Sequence, residues 1–427
     1  MIKVNKEQFE FVQSDQVIYD EKFQTKPIGY YKDAFIRFRK NKASVVAAII
    51  LIFIILMSIV GPHFKSYSLP QENAKWSMRL AQLPPRVPGL QWLGFDGSRE
   101  LEGFPGRFEG LPEGIVIKKG TKTNAIGQIK VTVDYYKFRN YELSYESYTS
   151  LNQREYDAVK EYEQRTGETL IIEERGLVEG SYRVKIHFFE FLQAIYGVEN
   201  YNFWFGTDNF GKDLFTELWS GAQLSLLIAF GVSLINIFVG VIVGSISGYY
   251  GGTLDLIIER FSEILSGLPF MAILTLLLLR YGMEVWVVIL AFTLTGWLGI
   301  SSLTRSQFYR YKNREYVLAA RTLGANDVRI MSRHIFPSAM GTLITSVVLY
   351  VPSVIFSEST YSYLGIINYS KVTSVGKILS AGQAVMKESF YMVLFPSIFI
   401  SLLMLSFNLF GNGLRDAFNP SLRGVEE

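Results

Sequence analysis

Residues 206–213 come nearest, in type and spacing, to a site that could do chemistry. They read Gly-Thr-Asp-Asn-Phe-Gly-Lys-Asp, one residue away from the phosphate-binding pattern G-x-x-x-x-G-K-[ST]. Asp213 stands where a hydroxyl would hold magnesium, and its carboxylate would repel a phosphate. We therefore interpret the glycines as a turn and Asp213 as the cap of an amphipathic helix over 214–221. With no other phosphate loop and no spaced catalytic set, the sequence predicts neither an enzyme nor a cofactor bound by this chain.

Charged residues at the edge of an apolar run form the second group of candidates. Arg260 and Glu263 lie near the start of the third such run, and a spacing of three lets them pair on one helix face. An isolated charge at membrane depth costs about 2.5–3.5 kcal/mol on insertion scales, so ionisable groups there are functional candidates. The pair is either part of a translocation pathway or a structural pair near the membrane interface.

Glu358 directly follows the fifth apolar run, and Tyr350 lies within that run. Glu358 either meets a charged amino group or a gate residue, or it caps and anchors that helix end. Tyr350 either shapes a cavity or packs as an ordinary interior side chain. Both residues are candidates for a pathway through the membrane.

Cysteine is absent, and the three histidines His63, His187 and His334 are far apart in the sequence. The composition therefore excludes disulfides and thiolate metal sites, and it argues against a transition-metal site. A net charge of +3 is too small to indicate nucleic-acid binding.

Long apolar runs must position these candidates, since 49% of the 427 residues are hydrophobic and 19% are charged. Each run is long enough to cross about 30 Å of hydrocarbon at about 1.5 Å per residue. The first should stay as an anchor, because many polar residues precede it and no cleavage site follows it. The six runs lie at 43–60, 224–247, 254–279, 285–303, 340–357 and 391–410. They predict a mainly α polytopic membrane protein with about six transmembrane helices.

Basic residues indicate the orientation of these spans. The first 42 residues contain nine Lys or Arg, and the segment 304–336 contains seven. The positive-inside rule places both in the cytoplasm, and the even number of spans between them is consistent with this. The sequence thus predicts a multi-pass membrane protein with both termini in the cytoplasm and residues 63–223 outside.

The segment 315–337 has the pattern of a polar two-helix loop between apolar spans. Good helix formers run from Glu315, and Ala319 and Ala320 give a small-residue face that another backbone could approach. Gly324 is suited to the left-handed conformation at a helix end. The remaining residues of the predicted loop are Asn326 or Asp327 as the cap of a second helix over 328–336, His334 within that helix, and Pro337 closing it. From local pattern alone, the loop either docks a partner or merely joins two spans.

Several motifs resemble the C-type permease subunit of oligopeptide, dipeptide and nickel ABC importers. Besides the loop, they are Arg37-Phe38-Arg39-Lys40-Asn41-Lys42, Gly206-Thr207-Asp208, Gly211-Lys212-Asp213, Gly248-Tyr249-Tyr250-Gly251-Gly252, Phe407-Asn408-Leu409-Phe410-Gly411 and Gly413-Leu414-Arg415-Asp416. Together they cover about 30–62 and 200–420, in the order of the family. The chain is therefore identified as a member of that family.

The resemblance implies an ABC importer type I permease fold and a function as a pore-forming subunit in the plasma membrane of a prokaryote. Glu315, Ala319, Ala320 and Gly324 match the family's most characteristic positions, where the loop rests in a groove of an ATPase. The implied partners are a second homologous permease, two ATPase subunits that carry ATP and magnesium, an extracytoplasmic substrate-binding protein and membrane lipids, without nucleic acid. ATP hydrolysis would then drive alternating access for oligopeptides or dipeptides. Alternatives are an importer of nickel or another small solute, and a membrane-anchored sensor or scaffold whose external domain binds ligand.

About 160 residues separate the first two spans, a longer connection than the family pattern has. Strand-like runs occur at 114–118, 128–139, 168–175 and 181–189. A helix at 152–164 is opened by Ser150 or Asn152 and stopped by Gly167. Residues 84–114 have an irregular pattern rich in Pro and Gly. The segment predicts a small α+β domain. It serves as a platform for the binding protein, as a cover that shapes the entrance to the pathway, or as a structural addition that packs on the neighbouring permease.

The resulting domain plan has five parts. They are a cytoplasmic tail with an amphipathic helix at 1–42, the first transmembrane helix at 43–62, the extracytoplasmic insert at 63–205, a permease core with five transmembrane helices at 206–412 that includes the coupling loop 304–337, and a cytoplasmic tail at 413–427.

Overall fold

The computed structural model describes residues 30–64, 74–123, 126–198 and 201–418. Its helices are α1 (Tyr30–Lys40), α2 (Lys42–Val60), α3 (Ala74–Arg79), α4 (Tyr135–Tyr141), α5 (Gln153–Thr166), α6 (Phe188–Tyr196), α7 (Leu214–Tyr250), α8 (Gly252–Ser266), α9 (Phe270–Tyr281), α10 (Val285–Tyr311), α11 (Glu315–Thr322), α12 (Asp327–Arg329), α13 (Phe336–Tyr363), α14 (Val375–Ala384) and α15 (Tyr391–Phe418). Its strands are β1 (Ser98–Gly103), β2 (Val116–Thr123), β3 (Ile129–Asp134), β4 (Thr149–Leu151), β5 (Ile171–Val178) and β6 (Ser181–Ile186). Most of the predicted tail at 1–42 and the end of the tail at 413–427 lie outside the described residues.

The predicted mainly helical membrane fold is confirmed. Among the described residues, five helical stretches are long and apolar enough to cross a membrane, and α8 with α9 makes a sixth candidate that is bent by 73°. The bend falls at Pro269, which precedes α9 and has no amide proton to continue the helical ladder. The third predicted span is thus broken, whereas the other five are continuous.

Asp213 caps the start of α7, as the sequence predicts. Its carboxylate accepts hydrogen bonds from the backbone amides of Phe215 and Thr216, both at 3.3 Å. The predicted separate helix over 214–221 is wrong, because α7 runs 37 residues without a break. Gly221 does not end α7. A β-carbon at this position would lie 2.9 Å from the backbone of Ser374, so glycine allows the segment before α14 to pack directly against α7.

Close backbone packing joins α7 to α10. Gly240, Gly244 and Gly248 recur every four residues and therefore share one face of α7. A β-carbon on Gly244 would lie 2.3 Å from the carbonyl oxygen of Ser301, and one on Gly248 would lie 2.6 Å from that of Arg305. The glycine stripe lets the two helices approach at a distance that larger side chains would prevent.

The first two helices pack against the last one. Ser44 near the start of α2 donates a hydrogen bond to the carbonyl of Leu409 at 3.1 Å. Phe38 of α1 meets Phe410 of α15 edge to face, with ring centroids 5.4 Å apart. The α1–α2 junction is therefore fixed to the same end of the bundle as the end of α15.

The insert contains two three-stranded antiparallel sheets, with strand orders β1-β3-β2 and β4-β6-β5. The predicted helix is present as α5, capped by Asn152 and stopped by Gly167 with φ 76°. Several sequence boundaries are wrong. Strand β1 lies within the region expected to be irregular, β4 is missed, the run 128–139 divides into β3 and α4, and the run 181–189 divides into β6 and the start of α6.

The segment that resembles a phosphate loop instead joins the insert to the membrane helices. The Thr207 hydroxyl accepts a bond from the Leu83 amide at 2.8 Å and donates to the Leu80 carbonyl at 2.6 Å. Tyr391 at the start of α15 donates to the Thr207 carbonyl at 2.8 Å. Gly211 packs so closely on Ser77 that a β-carbon would clash with its carbonyl oxygen. These glycines serve a close structural contact.

Glu163 ties the end of α5 to β5 and gives the insert a predictable pH dependence. Its Oε1 accepts hydrogen bonds from the amides of Leu170 at 2.8 Å and Ile171 at 2.9 Å. Burial alone would raise the pKa of Glu163, but the hydrogen bonds from Ile171, Lys160 and Leu170 outweigh it and hold the pKa below its usual range. A carboxyl with a lowered pKa stabilises the fold above its unfolded pKa, and this contribution is lost as the pH falls through the folded value.

The substitution Glu163→Gln should therefore make the amides of Leu170 and Ile171 exchange with solvent about tenfold faster at pH 7. This corresponds to a decrease of about 1.4 kcal/mol in the free energy of the local opening that exchange requires. The difference from wild type should shrink as the pH falls below about 4.3, the ordinary pKa of a glutamate. Hydrogen exchange by mass spectrometry, corrected for intrinsic rates, measures this in the full chain. Glu161→Gln, on the exposed side of the same helix, is the control. A difference that does not change with pH would contradict the assigned role of the charge.

Candidate functional site

The loop formed by α11 and α12 lies at the end of the bundle away from the insert. α7 carries the insert junction at its first residue and contacts the loop at Tyr249, near its last. Its 37 residues correspond to about 55 Å at about 1.5 Å per residue. The loop and the insert are thus separated by the whole membrane part.

A sharp turn separates α11 from α12. Gly324 has φ 80°, the left-handed conformation that the sequence predicts, and no heavy atom within 4 Å of where its β-carbon would be. The amide of Ala325 bonds back to the carbonyl of Ala320 at 3.1 Å, which satisfies the end of α11. Asn326 caps the next helix, since its side chain accepts a bond from the amide of Arg329 at 2.8 Å.

The predicted helix end at Pro337 is wrong. The chain is helical from Asp327 to Tyr363, with a π-helical segment at Ile330–Ile335 leading directly into α13. The π-helical segment shifts the hydrogen-bond register just before Pro337, so the missing amide falls in the first turn of α13. The second loop helix and the fifth span are consequently one continuous rod of 37 residues.

Asp327 connects the loop to the end of α7 instead of capping its own helix. Its two carboxylate oxygens accept hydrogen bonds from the hydroxyls of Tyr249 at 2.6 Å and Tyr250 at 3.3 Å. Arg321 of α11 donates to the Tyr249 hydroxyl at 3.2 Å. The two loop helices therefore share one tyrosine as an anchor, and we call this set the Tyr249 clamp.

Apolar side chains beneath the clamp form a small core of their own. Val317 of α11 and Ile330 and Ile335 of the π-helical segment are fully buried against Tyr249 and Phe308. Burial of these side chains together with the clamp makes the loop a rigid extension of α7, α10 and α13.

An ion pair fixes the helices directly behind the loop. Asp255 near the start of α8 receives two hydrogen bonds from the Arg305 guanidinium, at 2.6 and 2.7 Å, and a third from Tyr309 at 2.6 Å. Ser247 of α7 also donates to this carboxylate. Lys312 binds the carbonyl of Gly248 at 2.9 Å and so caps the end of α7. The bidentate pair between Arg305 and Asp255, together with the Ser247 hydrogen bond, therefore joins α7, α8 and α10.

Large apolar side chains are exposed around the turn of the loop, which sequence reasoning missed. Leu323 is 87% exposed and Val328 is 69% exposed, and they flank the Gly324 turn. Leu318 is also exposed one turn before. Large apolar side chains on either side of the turn in a polar loop were the available signal, since neighbouring exposed apolar side chains can form a contact surface.

The other predicted loop residues are distributed over both faces. Glu315, Ala319 and Pro337 are exposed, Ala320 is buried, and His334 is half-buried. The predicted small-residue face is thus divided, because Ala320 packs inward while Ala319 remains available to a partner.

The four pathway candidates are not brought together with the loop. Arg260 and Glu263 do pair, at 2.5 Å, but both side chains are exposed on α8. Tyr350 accepts a hydrogen bond from Asn236 at 2.8 Å and donates to the carbonyl of Gly296 at 3.3 Å, where α7, α10 and α13 meet. It therefore takes part in helix packing in this conformation.

Glu358 is fully buried on α13. Its carboxylate accepts hydrogen bonds from Ser225 of α7 at 3.0 Å and from Ser362 at 2.9 Å. The 31 residues between Asp327 and Glu358 correspond to about 46 Å of helix. Glu358 thus connects α7 and α13 at the end of the bundle nearest the insert.

Within the described ranges, no group of three His, Asp or Glu side chains is arranged to hold a metal ion. The polar clusters of the Tyr249 clamp and of Asp255 join helices to one another.

Two family models match the chain. The model of the binding-protein-dependent transport system inner membrane component matches residues 240–424, and that of the N-terminal TM domain of oligopeptide transport permease C matches residues 29–85. The dipeptide transport system permease protein DppC of Bacillus subtilis is 41% identical over 221 residues, which cover 52% of this chain and 69% of that protein. The oligopeptide transport system permease protein OppC of the same organism is 40% identical over 220 residues, covering 52% and 72%.

Solved structures with a similar arrangement include the inward-facing MetNI methionine ABC transporter. One of its chains matches 47% of this chain and 94% of its own length, with 14% identity and a TM-score of 0.40.

Proposed function

Because the chain belongs to the family of binding-protein-dependent transport system inner membrane components, we propose that it is a pore-forming subunit of an ATP-driven importer of oligopeptides or dipeptides. It is a multi-pass membrane protein, and its relatives are dipeptide and oligopeptide permeases. The observation that carries the coupling role is the rigid loop held by the Tyr249 clamp, with Leu323 and Val328 exposed on its outer face.

The outer face of the loop would bind an ATPase subunit, which would carry the ATP and magnesium. Exposed apolar side chains beside a small Ala319 permit close approach of another backbone. A loop without the inward clamp would bend when its partner moved. The clamped loop instead transmits the displacement to α13, with which it forms one helix.

A second permease would cover the broken span. Ile257, Phe261 and Ile264 form an exposed apolar stripe on α8, and Leu279 is exposed on α9. Such a face, at the helix break where backbone groups can line a cavity, is suited to a pathway between two subunits.

Orientation follows from the charges. The Arg- and Lys-rich residues around the loop and before α2 would be cytoplasmic, in a plasma membrane. The insert would then lie outside, where it offers a platform to an extracytoplasmic binding protein.

Glu358→Gln should reduce uptake severalfold while assembly and basal ATP hydrolysis stay normal. Contact between Glu358 and a substrate requires α7 and α13 to separate, since the carboxylate is enclosed by serine hydroxyls here. The uncharged amide would keep the packing but lose attraction for a positively charged amino terminus. Uptake of labelled peptide, normalised to assembled complex, measures this. Unchanged uptake would remove Glu358 from the pathway.

Uptake in cells tests the proposed function. Cells that lack this chain should lose accumulation of labelled di- or oligopeptides, and expression of the chain should restore it. Loss of nickel accumulation with normal peptide uptake would favour the metal importer. Normal uptake of both would favour a sensor or scaffold.

A further inference from the structure

A groove lies on the side of the bundle formed by α2, α7, α13 and α15. It encloses about 550 Å³ and is lined almost entirely by apolar side chains. Ala48 and Ile55 mark its extent on α2, with Phe230 and Leu234 on α7 and Phe410 on α15. The proposed transport function gives this groove no role.

The groove lies at the depth of the membrane hydrocarbon. Ala48 and Ile55 fall within the 19 residues of α2, and the span between them is about 10 Å. On α7, Phe230 and Leu234 are near the middle of the helix. Only an apolar occupant is favoured in such a place, because the lining offers almost no hydrogen-bond partners.

The outer wall of the groove faces lipid. Leu234 of α7 and Ile52 of α2 line the groove and are 71% and 58% exposed. The exposed face suited to a second permease is on α8 and α9, which do not line the groove. Hydrocarbon chains can therefore enter the groove laterally.

Basic side chains stand at one end of the groove. Phe38 of α1 touches Phe410 of the groove lining, which brings the α1–α2 junction to that end. Arg39 and Lys42, on either side of the Asn41 cap, are exposed. Lys42 precedes Ala48 by about 9 Å along the helix. A phosphate beside these cations would leave an attached hydrocarbon chain at the mouth of the groove.

We propose that the groove binds an acyl chain of an anionic phospholipid, whose phosphate lies against Arg39 and Lys42. The apolar lining holds the chain, and the cations select the charge of the headgroup. The bound acyl chain fills the space between α2 and the neighbouring helices α7, α13 and α15.

Native mass spectrometry of the full protein purified from nanodiscs tests this site. The nanodiscs contain equal amounts of phosphatidylglycerol and phosphatidylcholine. Wild type should retain phosphatidylglycerol in at least fivefold excess. Ala48→Phe, which fills the groove, should lose at least four fifths of the retained lipid. Ile49→Phe adds the same ring to the neighbouring, lipid-facing position and should retain it.

The headgroup contacts have their own control. Arg39→Gln combined with Lys42→Gln should abolish the preference for phosphatidylglycerol while lipid is still retained. Lys32→Gln, exposed earlier on α1, should keep the preference. Equal lipid loss in the Ala48 and Ile49 variants, or no retained lipid in wild type, would overturn the proposal. Cross-linking of an Ala48→Cys variant to a second permease would also overturn it. None of these outcomes depends on uptake, so the lipid site and the transport function can fail separately.

Discussion

Gly324→Asp is expected to lower peptide uptake per ATP hydrolysed at least tenfold. Gly324 has φ 80°, where a side chain costs about 1–2 kcal/mol of strain. The new carboxylate would meet open space, so no clash adds to this strain. It would instead place a charge beside Leu323, at the tip of the proposed docking face. Uptake and ATP hydrolysis are measured together in proteoliposomes that contain the complete transporter.

Gly365→Asp is a matched control for that variant. Gly365 has φ 75° and also has open space where its β-carbon would be, but it follows α13 at the other end of the bundle. Backbone strain should therefore be similar in the two variants, while coupling should fall only in Gly324→Asp. Equal loss in both would assign the effect to strain, and normal coupling in Gly324→Asp would count against the docking role.

Asp255→Ala is expected to destabilise the bundle by about 2 kcal/mol, between the values for exposed and for buried ion pairs, because Asp255 is buried but the Arg305 side chain is 30% exposed. The substitution leaves the Arg305 guanidinium with Glu259 at 3.5 Å as its remaining acidic contact. It also removes the acceptor for Tyr309 and Ser247. Reversible unfolding in bicelles, followed by tryptophan fluorescence, measures the change in free energy.

Glu263→Ala breaks the other ion pair of α8 and serves as the comparison. Its partner Arg260 and Glu263 itself are both exposed, so the expected loss is at most about 1 kcal/mol. Similar destabilisation by the two variants would contradict the view that the Asp255 pair joins the helices behind the loop.

Local signals in the sequence were sufficient for the spans and for the turn of the loop. Each apolar run is a property of consecutive residues, and the left-handed Gly324 depends on one residue and its neighbours. Asp213 and Asn152 cap their helices as expected, because a cap bonds amides only two or three residues away. Such interactions can be evaluated without knowing the tertiary structure.

Contacts between distant segments could not be predicted in this way. Pro337 appeared to end a helix, but a π-helical segment lets the rod continue through it. Asp327 was a candidate cap, whereas its partners Tyr249 and Tyr250 lie 77 or more residues earlier in the chain. The spacing of four between Gly240, Gly244 and Gly248 does not tell which helix packs against that face of α7.

The functional candidates divide in the same way. The loop residues gather into one unit because they are neighbours in sequence, although the sequence did not indicate that Leu323 and Val328 form its outer face. Glu358 was recognised as an ionisable group near a span end, but the hydroxyls of Ser225 and Ser362 that enclose it come from packing. Its place in the pathway stays a prediction.

A photo-reactive amino acid in place of Leu323 tests the central claim most directly. After illumination in native membranes, the tagged chain is purified and its cross-linked partner is identified by mass spectrometry. The proposed function predicts an adduct with a chain that carries an ATP-binding P-loop. The same probe at Ile49, on the lipid-facing side of α2, should not form it. Recovery of the chain without any cross-linked partner would contradict the assignment of the loop as an ATPase-docking site. An adduct with a protein that binds no nucleotide would contradict it too.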